Sequence, residues 1–185
     1  MKNDKVAFLV KGDADKEIIE PLVCRLLPAN FKIRFVRMGG KVGLLSAYAT
    51  VDRLLQKGYR NIFILFNSDS TDPINIKRRR TKIERMLEEH RVNQFVIVCP
   101  VVPGPEAWLL ANSHDRPEEL PDIKEACLEL AKNRDPAGAA RRIAARADLD
   151  LLKARSPSFA AFAKELSSIA SANQLRSRDA PQLKE

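Results

Sequence analysis

The chain has 185 residues, which is typical of one domain, and its apolar fraction of 45% can form a core although only 6% of the residues are aromatic. Its three cysteines are scattered singly, which argues against a disulfide framework or a structural zinc site, and no apolar run approaches the length of a membrane span. The formal net charge of +8 favours polyanionic partners such as nucleic acid, and we expect a soluble cytoplasmic protein.

Strands and helices alternate along the first half of the chain. Four runs predict strands: residues 5–10, 31–38, 61–66 and 94–100. Three segments with apolar residues at helical spacing lie between them: residues 18–27, 44–55 and 76–91. The first and third runs are apolar throughout, as in strands buried on both faces, whereas the second alternates apolar and basic residues, as in a strand near a sheet edge. This alternation predicts an α/β fold with a mainly parallel four-stranded sheet.

The second half of the chain shows helical spacing and no further convincing strand. Helices are predicted over residues 106–112 and 122–132, and Ser156-Pro157 opens another that carries Phe159 and Phe162 on one face. We therefore divide the chain into an α/β core (residues 1–102), a helical appendage packed on the core (residues 103–170) and a polar tail expected to be disordered (residues 171–185).

Single cysteines and histidines offer no clear chemistry in this sequence. Cys24 and Cys99 lie inside apolar stretches and are expected to be buried. His90 falls on the expected buried face of its helix, and His114 is far from it in sequence, so neither is assigned a catalytic role. No Ser or Cys lies in a recognisable nucleophile elbow.

Acidic residues follow three of the four predicted strands. Asp13 and Asp15 follow the first strand, Asp69 and Asp72 follow the third, and Glu106 follows the fourth after a Pro-Gly-Pro turn. Ligands of open parallel sheets bind beyond the carboxyl ends of the strands, so these carboxylates converge on one cleft if the first and third strands are neighbours. Such oxygen ligands suit Mg²⁺ or Mn²⁺. Each aspartate taken alone could equally cap a helix or shape an Asx turn.

A basic run opens the helix that follows Asp69 and Asp72. Its members are Lys77, Arg78, Arg79 and Arg80, with Lys82 and Arg85 one turn further on. The run is either a solvated helix face or a contact for the phosphate backbone of nucleic acid beside the acidic loops. Positive charge near a helix N-terminus opposes the helix dipole, so local stability does not account for it.

Four short motifs, in this order and spacing, resemble those of Toprim-like domains. Residues 10–15 (VKGDAD) resemble the opening V-E-G-x-x-D, and residues 66–69 (FNSD) resemble a strand that ends in D-x-D. Residues 103–111 (PGPEAWLLA) resemble the E-x-W/L-L-x-A-D segment of small Toprim-like proteins from bacterial defence and mobile-element contexts. Residues 139–162 are similar to a later I-A-x-x-x-D-L-x-x-L run and Ser/Cys-Pro-x-F helix of those proteins. The resemblance extends to about Ile169.

The resemblance implies a Rossmann-like Toprim domain that performs metal-dependent cleavage of nucleic-acid phosphodiesters or a related phosphotransfer. It implies catalytic positions at Lys11, Asp69 and Glu106. The implied ligands for Mg²⁺ or Mn²⁺ are Asp15, Asn67, Asp69 and Glu106. The candidate phosphate or nucleic-acid contacts are Lys11 and Gly12, from the first motif, and Lys77, Arg78, Arg79 and Arg80, from the basic run described above.

Two departures from the family pattern leave two functions open. Lys11 stands where the family has its glutamate, and Asn67 stands where it has the first aspartate of D-x-D. If the remaining carboxylates suffice for a metal, the chain is a metal-dependent nuclease. If Lys11 takes the place of the cation, the chain is a degenerate module that binds nucleic acid, a nucleotide or a partner ATPase without turnover.

Overall fold

A computed structural model of the chain describes residues 4–39, 43–44, 46–131 and 136–178. Its four strands form one parallel sheet in the order β2-β1-β3-β4. The strands are β1 (Lys5–Val10), β2 (Lys32–Arg37), β3 (Asn61–Asn67) and β4 (Val96–Val101). The prediction of an α/β fold with a parallel four-stranded sheet is thus confirmed, and the architecture is Rossmann-like.

The burial of each strand follows its sequence pattern. β1 and β3, which are apolar throughout, lie side by side in the middle of the sheet with Phe8 opposite Phe63. β2 lies at an edge, and its exposed and partly buried residues nearly alternate, as the basic and apolar residues of the run predict. Because β1 and β3 are neighbours, the loops that follow them open at the same edge of the sheet.

Eight α-helices occupy the described part of the chain. Those of the first half are α1 (Asp13–Leu26), α2 (Ala47–Gln56) and α3 (Pro73–Glu89). Those of the second half are α4 (Glu106–Leu110), α5 (Ile123–Ala131), α6 (Pro136–Arg146), α7 (Leu149–Arg155) and α8 (Pro157–Arg178). In the described ranges none of them is long and apolar enough to cross a membrane.

The helices cover both faces of the sheet. One face packs against α1, α4, α6, α7 and α8, with Phe8 and Phe63 of the sheet in edge contact with Phe162 of α8. The other face packs against α2 and α3, whose contributions include Val51 and Ile83. The prediction of an apolar face on α8 is therefore confirmed. The second-half helices share one hydrophobic core with α1.

The N-terminus of α8 is fixed by buried polar contacts that we call the Glu118 cluster (Trp108, Glu118, Ser156 and Ser158). The Glu118 carboxylate accepts hydrogen bonds from both serine hydroxyls and from the backbone N–H of Ser158, the last at 2.9 Å. The indole N–H of Trp108 donates to Ser158 Oγ at 2.9 Å. The cluster therefore fixes α4, which carries Trp108, against α8.

Several element boundaries differ from the sequence predictions. α3 begins at Pro73 instead of Ile76 because the Asp72 side chain caps it, accepting from the N–H of Ile74 at 2.9 Å. α8 continues to Arg178, so residues 171–178 are helical where a disordered tail was predicted. Residues 179–185 of that tail lie outside the described ranges.

Two single-residue placements were wrong. Cys24 is exposed. His90 is also exposed because α3 ends at Glu89, and its ring stacks on that of Tyr48 with centroids 3.5 Å apart. For Cys24 an apolar stretch did not decide which face of α1 the residue occupies, and for His90 the helical periodicity did not extend past the end of α3.

Candidate functional site

A cleft of about 460 Å³ opens at the carboxyl edge of the sheet, between the segments that follow β1, β3 and β4. The three acids predicted to converge, Asp15, Asp69 and Glu106, all line it. Lys11 and Lys124 also line it, the latter from α5. The loops therefore meet as the strand order requires, and α5 supplies a wall that no sequence motif indicated.

Asp15 lies in the first turn of α1 and is almost completely buried, with 6% of its surface exposed. Its two carboxylate oxygens accept hydrogen bonds from the Lys11 backbone N–H at 3.2 Å and from Asn67 Nδ2 at 3.5 Å. Burial raises the pKa of Asp15, and the nearby charge of Glu106 raises it further, while the hydrogen bonds oppose the rise. Asp15 and Glu106 therefore act on each other as two carboxylates of one site.

Asn67, the last residue of β3, brings an unsatisfied polar atom to the cleft. The residue is 9% exposed, and its buried Oδ1 has no hydrogen-bond partner in the part of the chain that the structure describes. A buried acceptor that lacks a partner costs about 1–3 kcal/mol. Since the large majority of buried side-chain polar atoms are paired, an unpaired one in a residue that lines a cleft requires an explanation, and a ligand is one.

Glu106, the first residue of α4, lies close to Asn67. A Cβ atom placed on Gly104 would lie 2.8 Å from Glu106 Oε2 and 3.8 Å from Asn67 Nδ2. The Glu106 side chain makes no hydrogen bond or ion pair within the described ranges. We call Asp15, Asn67 and Glu106 the acid–amide group.

Asp69 is directed to a different set of partners. Its carboxylate accepts from Arg79 at 2.9 Å and lies 4.0 Å from Lys11 Nζ. Its φ of 52° is in the left-handed region, which aspartate tolerates better than most residues. Arg79 also donates to the carbonyl of Ser68 at 3.2 Å and lies over the ring of Phe66. Asp69 is thus already neutralised by the protein's own cations.

These contacts decide which metal the cleft could hold. No group of three His, Cys, Asp or Glu side chains in the described ranges is arranged to hold an ion. The implied set of Asp15, Asp69 and Glu106 is not gathered around one point, because Asp69 turns towards Arg79 and Lys11. The acid–amide group offers two carboxylates and one unpaired amide oxygen. That set fits Mg²⁺ or Mn²⁺, which keep several bound waters, and does not form an all-protein cage.

The predicted phosphate contacts separate into two classes. Arg79 is paired with Asp69, and Arg80 is paired with Glu84 at 2.7 Å. No ion pair with a described residue is made by the other two members of the run, Lys77 and Arg78. Gly12 lines the cleft as the N-cap of α1, but its extended backbone and the open space around it would accept another residue.

The cysteines do not supply a nucleophile. Burial raises the pKa of Cys99 to about 12 and that of Cys127 to about 11, so both are protonated at neutral pH. The pKa of Cys24 is raised as well. The surroundings of all three cysteines therefore disfavour the thiolate form.

The fold and the position of the cleft define a Rossmann-like α/β protein with a ligand-type cleft beyond its strand ends. No family model, no curated protein and no solved structure matches the chain. What the cleft does must therefore be argued from its own residues and from the sequence motifs.

Proposed function

We propose that the chain cleaves or transfers nucleic-acid phosphodiesters in this cleft, with one Mg²⁺ or Mn²⁺ held by the acid–amide group. The observation that carries the proposal is the buried Oδ1 of Asn67, unpaired among the described residues, on a side chain whose Nδ2 donates to Asp15 and that lines the cleft with Glu106. When bound, the ion would polarise a phosphoryl oxygen and offset charge on the leaving group. The order of the Toprim-like motifs supports the same chemistry.

The chain's own residues supply the remaining contacts. Lys11 and Lys124 line the cleft as cations and can contact a phosphate through their ammonium groups. Asp69 holds Arg79 and approaches Lys11, so it positions the positive side of the cleft. The half-buried Glu106 carboxylate makes no hydrogen bond or ion pair within the described ranges, so an oxygen of it that does not contact the ion can accept a proton from a water that attacks the phosphate.

Binding of Mn²⁺ tests the site directly. We expect the wild-type chain to bind Mn²⁺ in titrations followed by electron paramagnetic resonance. Asn67→Asp should bind it more tightly, since a carboxylate replaces a neutral ligand, whereas Asn67→Leu should bind it more weakly. Asp13→Asn is the matched control, because the Asp13 carboxylate lies at the same rim but is paired with Arg37 at 2.6 Å. Equal affinity of all four proteins would refute the site.

Cleavage of DNA and RNA with Mn²⁺ present tests the reaction. The wild type should cut at least one of duplex DNA, single-stranded DNA and RNA, and Glu106→Gln should be at least about a hundredfold slower, as expected when an acid–base group is lost. If every nucleic acid stays intact while Mn²⁺ binds, the proposed reaction is refuted and the metal site stands.

The pairing of Asp69 favours a second candidate function. Because Arg79 and Lys11 already neutralise that carboxylate, the chain would act as a degenerate module that binds nucleic acid, a nucleotide or a partner ATPase without turnover. This candidate predicts salt-sensitive binding without cleavage. It also predicts that Lys11→Glu, which restores the glutamate of the family motif, strengthens Mn²⁺ binding.

A further inference from the structure

The outer side of α3 forms a second feature, separate from the cleft, that we call the basic face. Six residues at helical spacing line a shallow groove of about 690 Å³: Ile74, Lys77, Arg78, Thr81, Lys82 and Arg85. The opposite side of the same helix is buried on the sheet through Ile83 and Leu87, which are 1% exposed. The basic face is therefore the side of α3 that the fold leaves available.

The four cations of the basic face have no counterions among the residues that the structure describes. None of them makes an ion pair or side-chain hydrogen bond within the described ranges, although the adjacent Arg79 and Arg80 both do. Arg78 and Lys82, four residues apart, repel each other. The first turn of α3 holds no acidic residue that could offset this repulsion. Helix stability does not explain the pattern, whereas a polyanionic partner does.

We propose that the basic face binds the backbone of a B-form DNA duplex. Lys77 and Arg85 are separated by about 12 Å along the helix, from the rise per residue, so the cations can reach several phosphates. An α-helix fits the major groove of B-DNA, which is about 12 Å wide, whereas the major groove of A-form RNA is too narrow and deep for side chains to read. This proposal identifies duplex DNA as the substrate of the proposed function. It rests on the proposed function only for that identification.

The residues of the basic face favour a DNA duplex over a single strand as the ligand. Proteins that hold single strands stack the bases on aromatic side chains, and no aromatic residue lines this groove. Ile74, which is 67% exposed, instead offers an apolar contact of the kind that thymine methyl groups accept in the major groove.

The test measures binding of a fluorescent DNA duplex by anisotropy in EDTA, so that the proposed metal site plays no part. Four phosphate contacts predict that log K falls with log[salt] with a slope of about −3.6. Lys82→Gln/Arg85→Gln should reduce the magnitude of that slope by about 1.8 and weaken binding at low salt by at least about tenfold. Glutamine has nearly the same helix propensity as lysine and arginine, and it removes the repulsion between the cations. The variant should therefore fold, which circular dichroism checks. Arg78→Gln provides an independent single-site variant.

The matched control is Arg142→Gln/Lys164→Gln, which removes two exposed cations from α6 and α8 on the opposite face of the sheet. Its DNA affinity and salt slope should equal those of the wild type. Equal weakening by the two double variants, or tighter binding of single-stranded DNA or duplex RNA, would overturn the inference.

The same titrations separate this inference from the proposed function. A chain that binds duplex DNA in EDTA but fails to bind Mn²⁺ would refute the metal site and support the basic face. A chain that binds Mn²⁺ but no duplex DNA would refute the basic face and leave the metal site standing.

Discussion

Two polar groups near the strand ends of this protein differ in how far their hydrogen-bonding atoms are paired. In the Glu118 cluster one carboxylate oxygen accepts three hydrogen bonds, and the indole N–H has an acceptor. In the acid–amide group the Asn67 oxygen has no hydrogen-bond partner, and the Glu106 carboxylate no hydrogen bond or ion pair, among the described residues. Polar groups that the fold satisfies hold the structure together, whereas those it leaves unsatisfied are available to a ligand. Substitutions in the two groups should therefore have opposite effects on stability.

The largest effect is expected at Trp108. Trp108→Ala removes a fully buried ring that packs within 5.2 Å of the Phe159 ring and 5.4 Å of the Phe162 ring, measured between centroids. We expect the free energy of unfolding in urea to fall by about 3–5 kcal/mol, as for other large-to-small changes in cores. Leu128→Ala, at a residue that is 57% exposed, should change it by less than about 0.5 kcal/mol.

A smaller loss is expected at Glu118. Glu118→Ala leaves three donors at the start of α8 without their acceptor, so the free energy of unfolding should fall by about 2–3 kcal/mol. Glu119→Ala is the control, because that side chain is exposed and only pairs with Arg116 one turn away. If the two substitutions cost the same, the Glu118 cluster does not anchor the helix, and the contrast with the cleft disappears.

The smallest effect, with the opposite sign, is expected at Asp15. Since burial raises its folded pKa above the ordinary value of 3.8, the native state binds this proton more readily than the unfolded state. The free energy of unfolding should therefore fall as the pH rises from about 3.8 through the raised pKa of Asp15. Asp15→Asn removes this fall and should raise the Tm at neutral pH, with no gain at pH values below 3.8.

Thermal unfolding of both proteins across that pH range measures the difference. A lower Tm for Asp15→Asn at neutral pH would mean that the carboxylate stabilises the fold. The acid–amide group would then have the same stabilising role as the Glu118 cluster. The same variant should lose affinity for Mn²⁺, since one of the two carboxylates proposed as ligands is gone.

Local pattern was sufficient to predict the parallel sheet, and it predicted the edge at which the cleft opens on the condition that β1 and β3 are neighbours, which the structure confirms. The apolar runs of β1 and β3 identify them as central strands, and adjacent parallel strands bring Asp15 and Asp69 to one rim. The basic alternation of β2 likewise predicts its place at the border. These inferences depend only on the periodicity of side chains and the parallel direction of the strands.

The partners of individual side chains could not be predicted in the same way. Asp69 meets Arg79 only because α3 folds back along the loop, and Glu118 reaches Ser158 across 40 positions of the chain. Charge and spacing identify such residues as candidates, but they do not say which are neutralised by the fold. The distinction between paired Arg79 and unpaired Arg78 therefore required the structure.

The border strand β2 has a consequence for self-association. Its outer edge lacks a neighbouring strand in the described part of the chain, and such an edge can template pairing with another molecule. Lys32 and Arg34 are exposed along it, so a second copy aligned there would bring like charges together. The cations of β2 therefore protect the sheet against edge-to-edge aggregation, and this protection should weaken as added salt screens them.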